Sequence, residues 1–156
     1  MIARQGGRVD QFRVLSFDVE EHHRIEAATG LAVSRDRKFE YLERMEMTTR
    51  RLLDLLARAE TRATFFVVGD IARTAPALVR EIHRAGHEVG SHGWKHTRVD
   101  RFTPASFRDD ARTSKDALEQ VTGAPVRGYR APTFSITRRT PWAIDGLAEC
   151  GYEYDS

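Results

Sequence analysis

This 156-residue sequence predicts an α/β fold built on parallel strands, and three observations point there. Short apolar runs alternate with segments of helical periodicity along the whole chain. The helical segments carry their own start and stop residues. Carboxylate, imidazole and guanidinium side chains follow the strand-like runs closely, where the loops of a parallel sheet converge.

The first strand is expected in "FRVLSFD", from Phe12 to Asp18. A polar segment from Val19 to about Met47 follows, longer than an ordinary connection and of the kind that is functional or flexible. Thr48 is expected to cap the first helix, whose apolar stripe would be Leu52, Leu55, Leu56 and Ala59. "ATFFVVG" (Ala63 to Gly69) reads as a buried second strand, because nearly every side chain is apolar or small. "APALVREIHRAG" places Leu78, Val79 and Ile82 at helical spacing, with Gly86 at the left-handed stop. "HEVGSH" is a short third strand. The clearest helix is "TPASFRDDARTSKDALEQVTG": Thr103 caps it, Pro104 takes the first turn, Phe107, Ala111, Ser114, Leu118 and Val121 line one face, and Gly123 ends it. "VRGYR" is a fourth strand, "TPWAIDGLAECG" a further capped helix and "YEYDS" the start of a fifth strand. No repeat or low-complexity segment interrupts this order, and residues 1–156 read as one domain.

Composition narrows the function. With 40% hydrophobic and 31% charged residues the chain is that of a globular protein, and a net charge of +2 gives no case for nucleic acid. Arginine dominates the 25 basic residues but is spread along the chain rather than blocked, which is compositional bias and not a phosphate-binding surface. The single cysteine, Cys150, reads as a small core residue on a helix. No apolar run reaches the roughly 18 residues of a membrane span. "MIARQGGRVDQ" lacks the apolar core of a signal peptide, so a cytoplasmic location is expected.

Three groups carry chemistry: Asp18 and Glu20 after the first strand, His92 and His96 after the third, and Arg130 after the fourth. "SHGWKH" gives a His-x3-His spacing, which on a helical turn puts both imidazoles on one face toward one ion. Gly90 and Gly93 flank the first histidine and allow close backbone approach. Two histidines and one carboxylate leave coordination positions for water or substrate, the plan of a catalytic metal. Asp18 and Glu20 are two residues apart and point the same way in an extended chain, so one can bind metal while the other acts as a base. Arg130, beside a proline-containing turn, can orient that base through paired hydrogen bonds.

"SFDVE", "RATFFVVG", "GHEVGSHGWKH" and "RAPTF", in this order from Phe12 to Ser156, resemble the motifs of the polysaccharide deacetylase family, the NodB-homology carbohydrate esterases. "FDVEE" and the segment from Val126 to Ser156 most resemble the subgroup found beside exosortase and exopolysaccharide loci. The resemblance implies a distorted (β/α)7 barrel and metal-assisted removal of N-acetyl groups from a polysaccharide or N-acetylated sugar chain. Under it, Asp18 matches the catalytic base, His92 and His96 the metal imidazoles, and Arg130 the arginine that holds the base. Val19 replaces the family's second aspartate, so Glu20 is the implied metal carboxylate, as in branches with a D-x-[DE] motif. Thr133 stands where a larger aromatic often sits, and a backbone N–H there would help bind an oxyanion. Zinc is the implied ion, with cobalt, nickel or iron as alternatives. Glu21, His22 and His23 are expected in a cleft-side loop, and His83 and His87 to be structural.

The family's proton donor is a histidine far downstream, and the sequence ends before it. The expectation is therefore a partial deacetylase domain, an incomplete barrel of about five βα units, with little activity alone and a tendency to self-associate through exposed barrel faces. Two alternatives stand beside it: a non-catalytic fragment that keeps the metal site, and a hydrolase of cyclic amides on the same fold.

Overall fold

The computed structural model describes residues 14–24 and 32–156. The predicted start of the first strand, Phe12 and Arg13, and the N-terminal stretch read for a leader lie outside the described residues.

Five short strands form one parallel sheet: β1 (Ser16–Val19), β2 (Thr64–Val67), β3 (Glu88–Ser91), β4 (Gly128–Tyr129) and β5 (Tyr154–Asp155). They lie side by side in sequence order. That order is the wall of a (β/α) barrel, whereas a doubly wound sheet reverses direction at a switch point. The connections are helical: α1 (Arg35–Arg58) follows β1, α2 (Ile71–Thr74) and α3 (Pro76–Arg84) follow β2, α4 (Pro104–Thr122) follows β3, and α5 (Trp142–Glu149) follows β4. The expected incomplete barrel of five strands is the architecture observed.

β2 is apolar on both faces because both faces are covered. Phe65 and Val67 are fully buried in the layer shared with Leu78, Val79 and Ile82 of α3 and with Phe107 and Leu118 of α4. Phe66 points to the other face, inside the curve of the sheet. The helix boundaries follow local chemistry. α4 opens with a reciprocal Thr103–Ser106 capping box and a proline in its first turn, and closes at Gly123 with φ 70°. α3 also begins on a proline, and the chain leaves it through Gly86 at φ 85°.

Two expectations change. The helix assigned to Thr48 onward begins at Arg35, capped by the Ser34 hydroxyl, which accepts the Arg37 N–H. Half of the supposed long loop is thus helix. Its N-terminal half is charged, and the stripe it buries, Tyr41, Met45 and Thr49 running on to Leu53 and Leu56, mixes polar with apolar side chains. A pattern of hydrophobicity alone does not register such a face. Leu55, placed in the stripe from sequence, is 59% exposed. The second change is at α5, which has no side-chain cap. Thr140 instead ties the preceding turn, accepting the Thr137 N–H at 2.9 Å and donating to the Ser135 carbonyl at 3.3 Å.

Candidate active site

The carboxyl ends of β1, β3 and β4 bring all five singled-out residues to one rim. Alternation along β1 buries Val19 in the core and leaves Asp18 and the following Glu20 on the side of the rim. The ladder then continues past the strand ends: the His92 N–H donates to the Val67 carbonyl at 2.9 Å, and the Arg130 N–H to the Ser91 carbonyl at 2.9 Å. These bonds fix the two residues relative to the sheet.

Glu20, His92 and His96 each turn one ligand atom toward a common point, all within 4.8 Å of one another. Glu20 Oε2 lies 2.9 Å from His96 Nε2. Oε2 is a buried acceptor with no hydrogen bond among the described residues. Two ligand atoms on a tetrahedral ion at about 2.1 Å stand about 3.4 Å apart, so the pair would open by roughly 0.5 Å to share one cation. His96 Nδ1 is likewise buried without a partner. Histidine 92 is held differently: its Nδ1 lies 2.8 Å from the Arg130 carbonyl. A carbonyl only accepts, so Nδ1 carries the proton and Nε2 keeps its lone pair for the site.

The electrostatics agree with this donor set. Burial lowers the His92 pKa from its ordinary value, against the opposing pull of Asp18 and the Arg130 carbonyl, which keeps the ring neutral. Burial pushes the Glu20 carboxyl up, but close contact with His96 and the charges of His96, His92 and Arg24 together outweigh it and hold Glu20 below the usual range. A neutral His92 ring and an ionised Glu20 carboxylate are the forms in which these two groups bind a divalent ion.

Asp18 stands beside this group. Its Oδ2 is 3.9 Å from His92 Nε2, and its Oδ1 accepts a hydrogen bond from Arg130 Nη1 at 2.8 Å. The predicted paired contact is not formed: the second arm of the arginine, Nη2, donates to the hydroxyls of Ser16 and Ser156, at 2.7 and 2.8 Å. The guanidinium lies 4.1 Å above the Phe66 ring, a stacking that holds it flat.

Two further expectations are revised. His92 and His96 are not on a helical turn; they lie on a bend made by Gly93 at φ 72° and His96 at φ 60°. The ring centroids are 5.0 Å apart all the same. Glu21 is not a cleft-loop residue, since it is buried and ion-paired with Arg24, which also donates to Asp70 at 3.2 Å. Thr133 sits at φ 52°, and its hydroxyl accepts from Arg98 at 3.0 Å. His87, read as structural, is buried with Nδ1 accepting the Ala63 N–H at 3.2 Å.

Sequence reading missed the shell beneath the histidine loop. The Trp94 N–H donates to Asp110 of α4 at 2.9 Å, and the Ser114 hydroxyl reaches the Gly93 carbonyl at 3.1 Å and the Ser91 hydroxyl at 2.7 Å. Asp110 and Ser114 stand four apart on α4, and Ser114 had been counted as plain core. A polar residue on a predicted apolar face was the available signal.

Known proteins are similar to this chain in sequence and fold. A chitooligosaccharide deacetylase of a Bradyrhizobium strain is 34% identical over 98 residues, covering 62% of this chain and 42% of its own length. A peptidoglycan-N-acetylglucosamine deacetylase of Listeria monocytogenes is 34% identical over 92 residues, 58% of this chain and 18% of that protein. The chain thus spans less than half the length of these relatives. Among solved structures, a presumed polysaccharide deacetylase from Mycobacterium smegmatis superimposes with a TM-score of 0.76 at 29% identity, over 91% of this chain and 49% of that one. A Bacillus anthracis pseudoenzyme of carbohydrate esterase family 4 has the same fold, with a TM-score of 0.66 at 21% identity over 70% of this chain and 38% of its own. The family model described as polysaccharide deacetylase matches residues 39–154. That match begins after β1, so Asp18 and Glu20 rest on the geometry above, while the histidine loop and the Arg130 turn fall within it. This chain belongs to the polysaccharide deacetylase family.

Proposed function

We propose that this protein is a divalent-metal-dependent hydrolase that removes N-acetyl groups from a glycan, with Asp18 as general base and Glu20, His92 and His96 as the metal ligands. The observation that carries this reading is the convergence of an unpaired buried carboxylate oxygen with two imidazoles, beside an aspartate held by its own arginine. Zinc suits the donor set of two nitrogens and one carboxylate oxygen. The ion would supply Lewis-acid polarisation of the acetamide carbonyl.

The chain's own residues account for the rest. Asp18 takes a proton from the attacking water, whose oxygen bonds to the acetamide carbon; the carbon–nitrogen bond then breaks, the amine leaves with the proton that Asp18 returns, and acetate is released. Arg130 holds the Asp18 carboxylate toward the rim, and its carbonyl keeps the His92 proton on Nδ1 and off the site. The likeness of "FDVEE" and the segment from Val126 to Ser156 to exopolysaccharide-associated deacetylases supports an exopolysaccharide as the substrate.

The test pairs metal binding with acetate release. One zinc ion per chain by calorimetry, weakened strongly by Glu20→Ala, and acetate release from chitooligosaccharides that falls on the order of 10²-fold or more in Asp18→Asn, are the expected results. Zinc binding without acetate release from any N-acetylated glycan would favour a non-catalytic role such as that of the pseudoenzyme. Ring opening of a cyclic amide in place of acetate release would transfer the same site to another amide.

A further inference from the structure

Helix α1 is much longer than the sheet it covers. Its 24 residues extend roughly 36 Å, against roughly 13 Å for the four residues of β1. Where helix and sheet overlap, the buried stripe is Leu53 and Leu56, which join the core. Toward its N-terminus the helix passes the end of β1, and the buried stripe continues as Tyr41, Met45 and Thr49, flanked by the exposed Arg44 and Thr48. There it stands opposite Asp18 and Glu20 across a cavity of about 410 Å³.

This cavity shares a wall with the metal-and-base cluster and is lined for a sugar. Tyr41, Met45 and Val19 offer apolar surface, Thr48 and Thr49 offer hydroxyls, and Arg44 supplies a fixed positive charge. Several acids of this region face other partners. Asp18 is taken by Arg130, Glu20 faces His96, Glu46 pairs with Arg50 at 2.8 Å and Glu40 lies 3.8 Å from Arg37. Among the described residues no carboxylate forms an ion pair with Arg44. A guanidinium that lines a ligand-sized cavity and has no carboxylate partner among the described residues is set to take a planar oxyanion from outside.

Resting on the deacetylase reading, we infer that the cavity between β1 and α1 is a subsite for an acidic sugar, in which Arg44 binds a carboxylate carried beside the acetamide under attack. An anionic N-acetylated glycan is accordingly the preferred substrate over a neutral one.

The test uses the zinc-loaded chain and one disaccharide in two forms: N-acetylglucosaminyl-N-acetylmuramic acid and its methyl ester, which differ in the carboxylate charge. Titration calorimetry is expected to show the free acid binding about tenfold more tightly than the ester, a preference that shrinks as salt is raised. Arg44→Ala and Arg44→Glu are expected to remove or invert the preference while leaving zinc affinity as it was, and Arg44→Lys to keep part of it. Equal affinity for acid and ester, or a preference that survives Arg44→Ala, overturns the acidic subsite and leaves the deacetylase reading standing. Failure to bind either form or chitotetraose overturns the glycan reading itself and this inference with it.

Discussion

Asp110 offers a test of the polar shell that supports the histidine loop. Its carboxyl is half-buried under Trp94, where burial pushes its pKa up to about 6 from an ordinary 3.8, opposed only by the Trp94 N–H and the charge of Lys95. A raised carboxyl pKa means the folded state holds a proton that the unfolded chain has already released. Between pH 4 and 6 the unfolded chain therefore binds fewer protons, and this residue's contribution lowers stability as pH rises. The penalty is absent below about pH 4 and complete above about pH 6. Two pKa units at 1.36 kcal/mol each would give about 3 kcal/mol, and partial solvent access reduces this to roughly 2 kcal/mol. Asp110→Asn keeps an oxygen to accept the Trp94 N–H and removes the charge. Urea unfolding followed by tryptophan fluorescence is expected to show variant and wild type nearly equal at pH 4, with the variant more stable by roughly 2 kcal/mol at pH 7. A stability difference that does not change with pH, or a variant weaker at pH 7, would refute the argument that this carboxylate is desolvated against the loop.

Three other outcomes are expected. Arg130→Lys keeps a positive charge but cannot reach Asp18, Ser16 and Ser156 at once, so acetate release should fall on the order of 10²-fold; zinc affinity by calorimetry should stay close to wild type, because it is the backbone carbonyl of residue 130 that holds His92. Gly69→Ala would place a methyl 2.5 Å from Ser114 Oγ and 2.8 Å from both Ser114 Cα and Trp94 Cε3, which should cost about 1–3 kcal/mol in urea unfolding and weaken zinc binding through displacement of the loop. Zinc at a hundredfold above its dissociation constant should stabilise the chain by about 2.7 kcal/mol, seen as a rise in melting temperature that His96→Ala abolishes.

The sequence carried most of the strand-end chemistry because that chemistry is local. Asp18 and Glu20 share a side by strand alternation, and His92 and His96 follow a glycine-flanked strand end, so their meeting needed only the correct strand order. What the sequence concealed lay in surfaces whose polarity is mixed. The N-terminal half of α1 looked like loop because Arg35, Asp36, Arg37, Lys38 and Glu40 mask a buried face that begins with a tyrosine. The histidine turn was expected to be helical on spacing alone, but the left-handed backbone at Gly93 and His96 folds it differently while bringing the rings equally close. The ion pair of Glu21 with Arg24 was likewise invisible, since it draws on Asp70 at the far end of β2.

The glycine in "HEVGSH" shows how a packing requirement can resemble a ligand-site signal. Gly90 pairs across the sheet with Phe66, which pairs in turn with Asp18. A side chain at Gly90 would begin 2.7 Å from the Phe66 ring and 3.2 Å from the Gly128 carbonyl. The bare position lets the phenyl ring lie across the inner face of the sheet, and Arg130 rests on that ring. From there one arginine side chain fixes Asp18, while the carbonyl of the same residue fixes the His92 ring. The placement of the base relative to the metal ligands thus runs through Gly90, Phe66 and Arg130, three strands deep, and not through the two histidines that the glycine precedes. The open backbone beside His92, which sequence suggests is room for an ion, is room for the ring that carries the arginine.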